Sequence, residues 1–130
     1  MNLGDKIRRI RSFLNANPAY RHIPCIVIDD RAVSLEEAIS YLERGLYVDR
    51  ILNGLSKLGI DPDWRLVEEY YKRLAAAHPE VRIYALSEYV PAMSPAEALE
   101  HIRKRDKVGR MLYKQYMKLL EFMRLRMEVV

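Results

Sequence analysis

Threonine is absent from this chain, and glutamine and cysteine occur once each, at Gln115 and Cys25. A single cysteine excludes an internal disulfide and any multi-cysteine metal site. Set among the β-branched residues Ile26, Val27 and Ile28, Cys25 is expected to be a buried small hydrophobe. No apolar run exceeds four residues, Cys25 to Ile28 being one of them. That is far short of a bilayer span, and the N-terminus lacks the apolar stretch of a signal peptide, so membrane insertion and export are not expected. Catalytic signatures are missing too. His22, His78 and His101 lie far apart in sequence, neither a phosphate-binding loop nor a GxGxxG fingerprint occurs, and no serine has a nearby base. Asp29 and Asp30 with Glu36 and Glu37 are the nearest thing to a cation cluster, but carboxylates around a helix start are explained by capping and the helix dipole. The expectation is therefore a protein without enzymatic activity, metal or cofactor.

What the chain does contain is apolar residues, half of the total, and charged residues at 31% of its 130 positions. This balance suits one folded domain with its own core. The 15 arginines and nine tyrosines beside so few thermolabile side chains fit a thermophilic setting. The net charge of +4 conceals an asymmetry: residues 1 to 28 carry +4, residues 29 to 100 carry −6, and residues 101 to 130 carry +6. Both ends are basic and the middle is acidic.

Hydrophobic periodicity predicts an all-α fold. Leu3, Ile7, Ile10 and Leu14 mark a first amphipathic basic helix, capped by Asp5 and ended at Asn17-Pro18. Pro18 to Val33 is expected as an extended arm packed on helices. Ser34 with Glu37 is a capping box that opens a long second helix running to Gly59, with a bend near Gly45. Asp61-Pro62 opens a third helix that lasts until His78-Pro79, and Val81 to Val90 is read as a short helix. Ser94-Pro95-Ala96-Glu97 is a second capping box, and with no later proline the last helix is expected to run some 34 residues. Its 3,4 spacing of Leu99, Ile102, Gly109, Tyr113, Tyr116, Leu120, Met123 and Met127, broken at Asp106, suits a bundle core. Residues 1–33 thus form a basic helix and arm, and residues 34–130 a helical bundle ending in one long helix.

The candidate binding residues follow from the charge pattern. Arg103, Lys107, Arg110, Lys114 and Lys118 recur every three or four residues and would share about 80° of arc on one helix. Such a row matches the dense phosphates of a duplex and would carry no sequence information. Lys6, Arg8, Arg9 and Arg11 on the first helix add a second basic segment able to grip a nucleic-acid backbone or groove. Opposite charge on the ends and the middle would also suit contact between copies.

This layout, a basic helical N-terminal segment, an extended connection and a bundle closing in a long helix, resembles the major capsid proteins of filamentous and rod-shaped archaeal DNA viruses. The resemblance spans the whole chain as architecture and carries over no individual residue. It implies a non-enzymatic protein whose dimers, often of two related chains, wrap double-stranded DNA into a helical nucleocapsid within the virion. Two other readings stand beside it: a cellular, cytoplasmic DNA-binding regulator or chromatin-like protein, and a helical module that binds acidic protein partners. Against a helix-turn-helix regulator stands the acidic Gly59 to Pro62 corner, a poor face for a recognition helix.

Overall fold

The computed structural model describes residues 2–60, 63–85 and 89–127. Among them it is mostly helical, with six α-helices and one two-stranded antiparallel sheet, and no helix is long and apolar enough to cross a membrane. The chain divides into two units, one of Met1–Asp61 with Leu119–Val130 and one of Pro62–Lys118.

In the first unit, α1 (Leu3–Ala16) buries Ile10, Phe13 and Leu14. Its N-cap is Asn2 rather than Asp5: the Asp5 backbone N–H donates to Asn2 Oδ1 at 2.8 Å. Asp5 sits in the first turn, where its charge favours the helix dipole. A 3-10 turn at Pro18–Tyr20 leads into β1 (Pro24–Ile28) and β2 (Arg31–Ser34). The expected arm is therefore a hairpin, whose strands pair their inward-facing backbone groups with each other. Asp29 and Asp30 make its two-residue turn with φ of 48° and 64°. Aspartate tolerates this left-handed conformation better than most residues, but it is a weaker turn signal than Asn-Gly. Cys25 is buried in this hairpin, where desolvation pushes its thiol pKa well up.

The Ser34 and Glu37 capping box forms as expected and opens α2 (Leu35–Glu43). The long second helix does not. The chain leaves helical geometry at Gly45 (φ 69°) and Tyr47 (φ 55°), and α3 (Val48–Ser56) follows as a separate helix packed on β1. Leu55 and Leu58 are buried here together with Leu120, Met123 and Met127 from the C-terminal turns of the last helix. Gly59, at φ 79°, passes so close to that helix that a Cβ would lie 2.6 Å from the Glu121 nitrogen.

In the second unit, α4 (Trp64–Ala77) is capped by Asp63, whose side chain accepts from the Arg65 backbone N–H. Asp61 and Pro62, the expected start of this helix, lie outside the described residues. The described part of Val81 to Val90 is not helical. Ile83 and Met93 instead exchange two backbone hydrogen bonds of 2.7 and 3.0 Å across an irregular loop, while Leu86 lies outside the described residues. Ser94 and Glu97 form the second capping box, at the head of α5 (Pro95–Lys104), which packs along α4.

The single helix of some 34 residues is two: α5 ends with Arg105 in the left-handed region (φ 52°), and α6 runs from Lys107 to Met127. Asp106 restarts the helix, its Oδ1 accepting from the Gly109 backbone N–H at 2.8 Å. Its other oxygen lies 2.7 Å from His101 Nδ1 on α5. The Gly109 N–H first, and His101 second, hold the Asp106 carboxyl below the usual carboxylate range. A carboxylate whose folded pKa is depressed contributes stability above its unfolded value of about 3.9, and that stability is lost as pH falls through the lowered value. Asp106→Asn keeps a capping oxygen but does not titrate. Urea unfolding midpoints measured from pH 6 down to 2 should therefore fall less steeply for this variant below about pH 4. Equal steepness would show that the Asp106 charge does not matter at this joint.

Candidate nucleic-acid interface

In the second unit, the stretch of α6 from Lys107 to Lys118 has two faces. Gly109, Leu112 and Tyr116 are buried, whereas Lys107, Arg110, Lys114 and Lys118 are exposed. Spacings of three, four and four residues put these cations within about 80° of arc, over about 16 Å of axis and roughly opposite the buried line. The 3,4 pattern read from the sequence explains both faces at once. A helix that turns Leu112 and Tyr116 inward must turn residues half a turn away outward.

Arg103 does not belong to this row. It lies on α5, across the Arg105-Asp106 break, and its Nε donates to Glu68 Oε1 on α4 at 3.0 Å. A shared arc for all five residues requires one unbroken helix, and the break between α5 and α6 removes the phase relation. Lys104 is likewise paired, with Glu100 one turn earlier at 2.9 Å, and this carboxylate raises its pKa. Arg110 differs from its neighbours because its Nη1 donates to the Arg105 carbonyl at 2.8 Å, so its head group also satisfies an orphan acceptor at the end of α5. Among the described residues, no carboxylate lies within ion-pair distance of Lys107, Arg110, Lys114 or Lys118. Four neighbouring positive charges therefore face solvent without an ion-pair partner among the described residues.

The first unit holds the other basic residues, arranged differently. Arg8 pairs with Asp5 one turn earlier, and Arg11 pairs with Glu43 on α2. Lys6 is half-buried, while Arg9 is exposed and lines a surface hollow of about 410 Å³ together with Arg126. At 100° per residue Arg8, Arg9 and Arg11 spread over about 160° of the outer side of α1, and Lys6 falls near its buried line, so the four do not form a row. Exposed ion pairs of this kind contribute about 0 to 1 kcal/mol, so a phosphate can replace the carboxylate, but part of the charge is already neutralised.

Of the aromatic side chains near the α6 row, Tyr113 belongs to the 3,4 pattern read from the sequence, whereas Tyr84 was not singled out. Trp64 stacks on Tyr113 with centroids 4.2 Å apart, and Arg105 sits over the Trp64 ring at 4.8 Å. This cluster ties the start of α4 to α6 and to the α5–α6 joint. Tyr84 differs in being 68% exposed, and its carbonyl accepts from Gln115 Nε2 of α6 at 3.5 Å.

Among the described residues, the Lys107 to Lys118 face of α6 offers charge and hydrogen-bond donors. Such donors suit anionic groups. A scan against protein-family models finds no match, and neither the curated proteins nor the solved structures compared with this chain give one.

Proposed function

We propose that this chain is a structural protein that coats double-stranded nucleic acid, DNA in the first instance, with the Lys107, Arg110, Lys114 and Lys118 face of α6 laid along phosphates. The observation that carries this reading is the row itself: four exposed cations on one helical face without a carboxylate partner among the described residues. Keeping like charges side by side carries a small repulsive cost on an isolated helix, and a line of phosphates removes it. Contacts of this type position a protein without selecting bases, so copies fill a duplex from end to end and meet along it. The assembly that results is a protein-coated filament, the role of a viral nucleocapsid protein. The partly neutralised fan on α1 supplies secondary phosphate contacts.

Random-sequence duplexes of 20, 40 and 80 base pairs, titrated at low salt and followed by sedimentation, test this. The number of bound chains at saturation should rise in proportion to duplex length, with no preferred sequence among competitors. Saturation at one chain per duplex irrespective of length would favour a regulator that recognises a short site. No binding at about 50 mM salt would remove nucleic acid as the partner.

A further inference from the structure

We infer that the same α6 face also binds unpaired strands, with the ring of Tyr84 as a stacking platform for a base. This rests on the phosphate-binding reading of the row and adds to it a contact that a closed duplex does not offer.

Most tyrosines whose rings are described here serve the fold. Tyr20, Tyr41, Tyr47, Tyr70, Tyr71, Tyr113 and Tyr116 each pack against another aromatic ring. Tyr84 is 68% exposed and, among the described residues, meets no other ring. Its exposure is not that of an untethered loop. On one side of it the Ile83 backbone is bridged to Met93, and on the other Ala85 is buried. Arg82 Nη2 adds a hydrogen bond to the Ala92 carbonyl at 2.9 Å. The backbone is thus held by the bridge at Ile83 and by Gln115 at the Tyr84 carbonyl, beneath a ring that faces solvent.

Its position relative to the charges matters as much. Gln115, whose amide reaches the Tyr84 carbonyl, follows Lys114 in sequence and precedes Lys118 by three residues. Residues three apart on a helix have Cβ atoms about 5–6 Å apart, so the Tyr84 backbone runs beside the Lys114 and Lys118 end of the row. Cations that track a backbone, next to an aromatic face, are the two elements by which single strands are held without sequence preference. A base free of its partner can leave its neighbours and lie on the ring, whereas a base inside a duplex is already stacked on both sides.

The test uses the full chain, fluorescently labelled 20-residue oligothymidylate, the same strand with abasic sites in place of the bases, and a 20-base-pair duplex, by anisotropy at low salt. Tyr84→Ala should weaken oligothymidylate binding roughly tenfold and leave duplex affinity within about twofold, while Tyr84→Phe binds like the parent chain. The parent chain should prefer oligothymidylate to the abasic strand, and Tyr84→Ala should lose that preference. If the parent chain binds duplex but holds oligothymidylate no better than the abasic strand, the stacking contact is overturned and the phosphate reading survives. If it binds none of the three, both fall together.

Discussion

Gly109→Ala is expected to lower the thermal unfolding midpoint by about 10 °C, corresponding to roughly 3 kcal/mol for a chain of this size. A Cβ at this position would stand 2.1 Å from the His101 carbonyl oxygen and 2.7 Å from its carbon, and both are backbone atoms that no rotamer change can move. The joint between α5 and α6 would have to open, and the Asp106 cap on the Gly109 N–H would be strained with it. Gly45→Ala is the control. Gly45 has nothing within 4 Å of where its Cβ would be, so the cost there is only that of φ 69° for an alanine, about 1 kcal/mol. Circular dichroism melts of the two variants compare a steric cost with a conformational one. Equal, small shifts would mean that α5 and α6 do not meet at this backbone contact.

Lys114→Glu combined with Lys118→Glu should weaken binding to random duplex roughly hundredfold at about 0.1 M salt, uniformly across sequences. Two attractive contacts become repulsive, and among the described residues neither lysine has an ion-pair partner whose loss would disturb the fold. Arg110 is the poorer choice for this experiment, since reversing it also strips the donor from the Arg105 carbonyl. Reversing Arg8 and Arg11 should cost less, on the order of threefold, because both already spend their charge on Asp5 and Glu43. Anisotropy titrations of the two double variants, with melting curves to confirm folding, rank the two basic segments. A larger loss from the α1 variant would move the main contact to the N-terminal helix.

The contrast between these segments bears on how much the sequence discloses. Signals that act within one helical turn were legible: Ser34 with Glu37 and Ser94 with Glu97 both form their capping boxes. Burial along α6 was largely legible: Gly109, Tyr116, Leu120, Met123 and Met127 of the 3,4 pattern are buried, although the line runs through Leu112 where the pattern had Tyr113. The breaks were legible only in part: Gly45 signals a bend, but not the end of a helix. Tyr47 and Arg105 take left-handed backbone without being glycine, and the apolar rhythm on either side continues as though the helix did. Asp106, the one interruption of the 3,4 pattern, was the clue that α5 ends there, and with Gly109 three residues on it forms the cap of a new helix.

For the candidate site, Lys107, Arg110, Lys114 and Lys118 could be placed from spacing alone, since one helix fixes their relation. Arg103 was misplaced because its relation to them crosses the break. Lys6, Arg8, Arg9 and Arg11 lie on the expected helix, but the counter-charge on Arg11 comes from Glu43, 32 positions away, and no local pattern reports it. Tyr84 was invisible for the same reason. Its exposure and its place beside α6 depend on the pairing of Ile83 with Met93 and on Gln115, contacts that distant residues supply. The hairpin at Asp29-Asp30 escaped because its turn lacks glycine.

The most direct test of the α6 face as a phosphate-binding surface is the dependence of duplex affinity on salt. With a random 30-base-pair duplex, the logarithm of the association constant plotted against the logarithm of sodium chloride concentration should fall with a slope of about −2.7 to −3.6. That is the value for three to four phosphates neutralised per chain. A slope near zero would contradict the claim, since binding would then owe nothing to the release of counterions from phosphates.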